Sequence, residues 1–286
     1  MPRIDESPAI ALCWGTAIGT PLEPLIEAAG GAGLGAVTLT AGMYEASRSR
    51  GMSDAELRRL LAEHGVKVHA IDPLIGVLPG TPRPADVPAE NRAYFEFTEE
   101  RCYQAAEALE AETINLAHFG GGAVPEQAFV DCLGPLAERA RRRGVRLTLE
   151  FLPESAIPDL ATAQRIVTAV GSSNLGMMLD TWHFARTGGT LEQLAAVPQG
   201  LIGGLQISDR REPPPGTAYT PMGGRLLPGE GEIPLVALLK ELLAREPALT
   251  VGVEVFSDDL KALPAREIAA RVASSTRTVL GAVRDT

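Results

Sequence analysis

Eight times along the chain, a short run of aliphatic and β-branched residues is followed by a longer stretch with helical periodicity. No other feature restricts the fold as much. The short runs fall at residues 9–14, 36–40, 66–71, 113–117, 146–150, 176–180, 203–207 and 250–255. The stretches after them predict helices at 21–29, 57–63, 91–111, 125–143, 160–170, 191–196, 235–244 and 265–283. Strands joined through helices pair in parallel, because only a crossover returns the chain to the same edge. Eight units in 286 residues, about 36 residues each, fit one (β/α)8 barrel over 1–286, with no linker to split it. A doubly wound sheet is the alternative. It calls for a glycine-rich turn after the first strand, which Cys13-Trp-Gly-Thr-Ala-Ile-Gly19 matches poorly. No P-loop sequence and no Gly-x-Ser-x-Gly occurs.

Local signals sharpen several boundaries. Ser53-Asp-Ala-Glu56 predicts a capping box, in which serine and glutamate satisfy free helix N–H groups. The helix it opens should stop near Gly65. The proline-rich residues 79–88 predict a loop. Phe97, Arg101, Ala105 and Ala108 share one helical face, so 91–111 reads as one continuous helix. Gly120, Gly121 and Gly122 close the fourth strand, and Gly144 stops the helix that follows.

The charge balance narrows the partners. The chain has 26 basic against 36 acidic residues, a net charge of −10, and 5% aromatic residues. That argues against nucleic acid and anionic membrane, which are bound through Lys, Arg and stacking rings. Cys13, Cys102 and Cys132 lie far apart without a Cys-x-x-Cys, which reads as reduced thiols in a cytoplasmic protein. The N-terminus shows no apolar run behind a basic cluster, so no signal peptide is expected. No run of about 18 apolar residues predicts a membrane span.

Barrel enzymes carry their chemistry at the C-terminal ends of the strands. Here strand five ends at Glu150, strand six at Asp180, strand seven carries Gln206 and strand eight Glu254. Acidic residues often begin loops, yet four consecutive strands place an acid or amide at the same end. Burying three carboxylates together costs several kcal/mol per ion unless something neutralises them. A divalent cation would do so. The all-oxygen set Glu150, Asp180, Gln206 and Glu254 suits Mg²⁺ or Mn²⁺, with Co²⁺ or Zn²⁺ as alternatives. His183, three residues after Asp180, is a candidate fifth ligand or substrate contact. The long loop after strand seven carries Arg210, Arg211, Pro213-Pro-Pro215 and Arg225-Leu-Leu-Pro228-Gly229-Glu230-Gly231. It reads either as a mobile surface loop or as a lid whose Arg225 reaches an anionic or hydroxylated substrate. His69 and His118 are candidate substrate contacts, and His64 a last-turn helix cation. Trp14 and Trp182 are candidate pocket walls or core residues.

These motifs resemble the xylose isomerase-like barrel superfamily, the sugar phosphate isomerases/epimerases. The resemblance covers nearly the whole chain, with its specific motifs from Glu150 onward. The family pattern has Glu after strand five, Asp-x-x-His after strand six, His or Gln on strand seven and Glu on strand eight. Glu150, Asp180 with His183, Gln206 and Glu254 match it, as does Arg-x-x-Pro-Gly-x-Gly at Arg225 to Gly231. Gln206 replaces the His of many sugar epimerases. It is similar to hydroxypyruvate isomerase-like and 3-dehydroshikimate dehydratase-like members, and the long loop from Arg210 to Gly224 leans toward the dehydratases. The endonuclease IV branch needs a histidine-rich three-zinc cluster, which four histidines and a net charge of −10 disfavour.

The resemblance implies a metal-dependent isomerase or epimerase of a keto-sugar or related hydroxyketone, acting through an enediolate next to a Lewis-acid cation. It implies Glu150 and Glu254 as the acid/base pair and His183 and Arg225 as groups that orient substrate oxygens. It also implies pairing into a homodimer. Two further readings stand beside it. A lyase would dehydrate a cyclic polyol ketone such as an inosose or 3-dehydroshikimate, with His69 or His118 as general acid. A non-catalytic barrel would only bind sugar.

Overall fold

In the computed structural model, eight parallel strands pair in sequence order, and the eighth returns to the first to close a barrel. The structure describes residues 8–120, 123–212, 214, 216–218 and 223–285. The strands are β1 (Ile10–Leu12), β2 (Ala36–Leu39), β3 (Lys67–Leu74), β4 (Thr113–Ala117), β5 (Arg146–Glu150), β6 (Leu175–Asp180), β7 (Ile202–Ile207) and β8 (Val251–Val253). The (β/α)8 expectation holds. Aliphatic side chains fill both faces of the strands, as a sheet buried between core and helices requires.

Around the barrel run α1 (Leu22–Gly31), α2 (Ala41–Ser49), α3 (Asp54–Glu63), α4 (Arg92–Phe95), α5 (Glu99–Leu109) and α6 (Glu126–Arg142). Then follow α7 (Leu160–Val170), α8 (Thr181–Arg186), α9 (Leu191–Ala195), α10 (Leu235–Arg245), α11 (Asp258–Lys261) and α12 (Ala265–Asp285). In α12, Ile268, Ala269, Val272, Ala273, Thr276, Val279 and Leu280 form the inward stripe. That 3,4 spacing lays the helix against α1 and α10 and closes the chain over its own start. The capping box opens α3 as expected: Ser53 Oγ accepts from Glu56 N at 3.2 Å, and Glu56 Oε2 accepts from Ser53 N at 2.8 Å.

Three expectations change. The helix at 91–111 is two helices, because Thr98 caps α5 by accepting from Arg101 N and the chain turns at 96–98 to bury Phe97. The third strand runs on past residue 71 to Leu74, through a register irregularity between Ile71 and Leu74. The extension puts Asp72 inside the barrel mouth. Short helices α2, α8 and α11 follow β2, β6 and β8, ahead of the longer helices. Of the glycines expected to close β4, Gly121 and Gly122 lie outside the described residues, as do the first seven residues, Pro213 and Pro215. The three cysteines are free thiols. Among the described residues no helix is long and apolar enough to cross a membrane.

Candidate active site

Strands β5 to β8 deliver their polar ends to one place. Glu150 is the last residue of β5, Asp180 the last of β6, Gln206 the penultimate residue of β7, and Glu254 follows β8. All four are buried. Asp180 also caps α8: its Oδ1 accepts from the N–H groups of Trp182 (2.7 Å) and His183 (3.3 Å). That turn points the His183 ring back at the carboxylates, with Nε2 at 3.4 Å from Glu150 Oε1 and 3.7 Å from Asp180 Oδ2. Glu150, Asp180 and His183 each offer a ligand atom, and these atoms lie within 4.8 Å of one another. The cluster takes in His183 and leaves out Glu254, so it differs from the all-oxygen set that the strand ends suggested.

Two residues not singled out in the sequence complete the floor. Asp72 on β3 accepts from Asn115 Nδ2 at 2.9 Å and from Gln206 Nε2 at 2.9 Å. Asn115 on β4 also donates to Glu150 Oε2 at 2.8 Å, while Thr148 donates to its Oδ1. The amide of Asn115 therefore fixes Glu150, and Asp72 fixes Gln206. With its Nε2 held by Asp72 and 3.4 Å from Glu254 Oε1, Gln206 has a buried Oε1 without a hydrogen-bond partner among the described residues. A buried acceptor is costly to leave unmet. Carboxylates, an imidazole nitrogen and this amide oxygen together form a donor set that fits a divalent cation.

One cation is built into the floor. Arg225 Nη1 donates to Asp180 Oδ2 at 2.6 Å and to the Glu254 carbonyl at 3.2 Å, and lies 3.6 Å from Glu254 Oε2. Nη2 lies 3.3 Å from His183 Nε2. Its guanidinium is stacked between the rings of Trp182 (5.1 Å) and Phe256 (5.4 Å). Arg225 is thus a buried counter-charge, not the arm of a mobile lid. Its place follows from the loop motif. Asp209 accepts from Gly229 N at 3.0 Å and Ile233 N at 3.0 Å, and it bridges Leu226 through the backbone. A Cβ at Gly231 would lie 2.4 Å from the Arg210 carbonyl, so only glycine lets the loop come so close. We expect Asp209→Ala to strip amide-exchange protection from residues 225–233 and to cost about 1–3 kcal/mol in urea unfolding. Unchanged protection there would show that Asp209 does not hold the loop.

Crowding sets the ionisation of the floor. Burial and the Glu150 charge push Asp72 up to about 7, despite the bonds from Asn115 and Gln206. Burial holds the Glu254 carboxyl well above the usual range, against the pull of Arg225. For Asp180 burial works upward too, but Arg225, His183 and the hydrogen bonds outweigh it and the carboxyl falls below its ordinary value. Arg225 stays a cation: burial opposes the charge, and Asp180 and Glu254 more than restore it.

A cavity of about 240 Å³ opens above this floor. Trp14, Glu150, His183, Arg225 and Glu254 line it. Asp180 and Gln206 belong to the floor and are not among its lining residues, and neither are three other candidates. His69 Nδ1 pairs with Glu112 at 3.0 Å, and Glu112 precedes β4, at the opposite end of the barrel. His118 lies 3.1 Å from the Pro79 carbonyl through Nε2 and accepts from Ala156 N through Nδ1, pinning two loops together. Trp182 packs under Arg225 and is not part of the cavity wall. Each of these rings is held by a partner distant in sequence. His64 ends α3 as its C-cap.

A closed parallel barrel with acid and amide donors gathered at the ends of β5 to β8 defines a class of barrels suited to a metal at the mouth. The chain belongs to the xylose isomerase-like TIM barrel family, whose model matches residues 26–278. An inosose isomerase of Halalkalibacterium halodurans is 31% identical over 144 residues, half of each chain. A 3-dehydroshikimate dehydratase of Pseudomonas putida is 28% identical over 148 residues, 51% of this chain and 23% of that one. The chain spans about half the length of the inosose isomerases it matches. The solved structure of the IolI protein with a binding zinc atom superposes with a TM-score of 0.80 at 22% identity, covering 96% of this chain and 98% of that one. A D-psicose 3-epimerase structure shares the fold at a TM-score of 0.67 and 18% identity.

Proposed function

We propose that this chain is a divalent-metal-dependent isomerase or epimerase of a keto-sugar or related hydroxyketone. The observation that carries the reading is the buried cluster of Glu150, Asp180 and His183 beside the unpartnered Gln206 Oε1. Glu150, Asp180, Gln206 and Glu254 would hold the ion, with His183 against it. When bound, a divalent ion supplies Lewis-acid polarisation of a carbonyl and its neighbouring hydroxyl. Glu150 and Glu254 both line the cavity, from strands three places apart around the barrel, so they approach a substrate carbon from different sides. One removes the proton next to the carbonyl and the other returns it. His183 and Arg225 hold substrate oxygens and offset the negative charge that develops, in a site whose apolar walls exclude water.

The relatives support both an isomerase and a dehydratase. Elimination needs a proton donor at the leaving hydroxyl. His69 and His118, the two histidines the sequence offered for that role, are engaged elsewhere, which favours isomerisation. The proposal extends to Mg²⁺ or Mn²⁺ as the ion and to a cytoplasmic setting with reduced thiols. It also extends to a small-molecule partner in place of nucleic acid or membrane, and to a homodimer.

The test is to incubate the Mn²⁺-loaded protein with 2-keto-myo-inositol in D₂O and follow mass and NMR. The expected result is one deuterium beside the carbonyl, abolished by EDTA. Loss of the mass of water would instead support the dehydratase, and no exchange with metal present would overturn both. A second expectation concerns the ion itself. Asp72→Leu, which frees the Gln206 amide to turn, should weaken Mn²⁺ binding about 10–100-fold by EPR titration. Unchanged affinity would remove Asp72 from the support of the site.

A further inference from the structure

The segment between β3 and α5 is tied at both ends and loose between them. No residue from 79 to 96 is buried, while Phe97 after them is. Inside the segment the side-chain bonds are local: Arg83 pairs with Asp86 at 2.8 Å, and Arg92 Nε donates to the Pro84 carbonyl at 3.0 Å. Yet it supplies much of the cavity wall, through Val87, Pro88, Asn91, Tyr94 and Phe95. Tyr94 also packs on Trp14, the cavity residue after β1, at 5.3 Å between ring centres. Residues 79–97 thus form a strap across the mouth. At its far end Phe97 is sunk in the core beneath the Arg101 guanidinium, whose Nη1 donates to the Glu96 carbonyl at 3.0 Å.

His118 holds the near end. It is buried, with its ring edge-on to Phe129 of α6 at 5.4 Å. Nε2 lies 3.1 Å from the Pro79 carbonyl, and Nδ1 lies 3.3 Å from the Ala156 nitrogen. A carbonyl only accepts and a backbone N–H only donates. These partners therefore require one form, the neutral imidazole with its proton on Nε2. A second proton, on Nδ1, would face the Ala156 N–H and break that bond. Gly80, at φ 76°, seats the strap so close to Val124 that a Cβ there would overlap it. Burial pushes the His118 imidazole below its ordinary value, and the Pro79 carbonyl pulls the other way. The ionisable groups on the elements around the ring are engaged elsewhere. On α6, Glu126 pairs with Arg165, Asp131 accepts from Gln127, and Cys132 donates to the Val77 carbonyl. Between β5 and α7, Asp159 caps Thr162 N and Glu154 is exposed. On the strap, Asp86 holds Arg83.

Resting on the reading of this cavity as the substrate site, we propose that His118 is a positioning residue: a neutral-imidazole latch that holds the strap of residues 79–97 closed over bound substrate and releases it on taking up a proton at Nδ1. The closed strap binds no such proton, and a freed imidazole does so below about pH 6.5, so acid draws the strap open. Opening carries Asn91, Tyr94 and Phe95 away from the cavity and lets water in. Glu150, Asp180, Gln206 and Glu254 stay in place, because β5 to β8 carry them. His118 acts on the reaction only through the strap.

The experiment is amide hydrogen–deuterium exchange of the Mn²⁺-loaded protein, corrected for the intrinsic effect of pH on exchange. Between about pH 7.5 and about pH 5.5, exchange in residues 79–97 should rise about 10-fold while α12 stays protected. That is the rise expected when opening takes up one proton at an imidazole of ordinary pKa, about 6.5. His118→Phe keeps a ring against Phe129 but makes neither bond and never titrates. Its strap should exchange about 10-fold faster than the parent's at about pH 7.5, with no further rise in acid. His118→Gln, a milder change that leaves an N–H for the Pro79 carbonyl, should also show no rise in acid. At about pH 7.5, His118→Phe should raise KM for 2-keto-myo-inositol about 10-fold and leave kcat within about 3-fold. No rise in the parent, or the same rise in both variants, overturns the proposal. The strap is read without substrate, so this claim and the isomerase reading fail separately. A pH-dependent strap that needs His118, without turnover of the ketone, keeps the latch and sinks the isomerase. Turnover with a strap indifferent to pH and to His118 does the reverse.

Discussion

Glu150→Gln should lower turnover by about 10³-fold at saturating Mn²⁺, within the 10²–10⁴-fold range that general base catalysis supplies. The change keeps the side chain's shape and leaves an oxygen to accept from Asn115 Nδ2, which now bonds Glu150 Oε2 at 2.8 Å. It also removes one of four carboxylates crowded in the barrel mouth. The folded protein should therefore be no less stable without metal, and a rise of a degree or more in its melting temperature is consistent with relief of that crowding. Mn²⁺ affinity should fall as well, so the rate is read where the metal saturates. Turnover close to that of the parent would remove Glu150 from the acid/base pair.

The second large effect is on stability. Arg225→Ala should destabilise the metal-free protein by about 3–5 kcal/mol, the cost of breaking a buried ion pair from one side. Asp180 would lose the donor at 2.6 Å, and His183 and Glu254 would lose their nearest cation. The rings of Trp182 and Phe256 would also face a void where the guanidinium stacked. Urea unfolding in EDTA measures the loss, and added Mn²⁺ should restore part of it because the ion supplies positive charge to the same carboxylates. Arg225→Lys should recover less than half, since one ammonium cannot span both Asp180 and His183 as the planar fork does. A loss below about 1 kcal/mol would show that the floor does not depend on this counter-charge.

The barrel was legible because its strands are buried on both faces and its helices on one, which gives two distinct periods in a single sequence. Short helices escaped because α8 and α11 are too brief to show a stripe. The break before α5 did carry a signal, a threonine followed by two glutamates at 98–100, but the apolar phase of Phe97 and Ala105 reads straight through it. The donors at the ends of β5 to β8 could be read by aligning strand ends. Asp72 could not, because Pro73 marks the end of a strand by every local rule while β3 continues to Leu74. Asn115 lay inside a buried run, where an amide looks like a core residue with a local partner. The fates of His69, His118 and Arg225 depend on partners 38 to 45 positions away, which no local pattern reports.

The most direct test of the account is a crystal structure of the protein soaked in Mn²⁺, with anomalous scattering to locate the ion. The account predicts one strong peak in the barrel mouth within about 2.0–2.6 Å of oxygens from Glu150, Asp180, Gln206 and Glu254. Gln206 should present Oε1 to the ion, with its amide nitrogen on Asp72. No peak at this site at full soaking, or a peak whose ligands exclude Glu150 and Gln206, would contradict it.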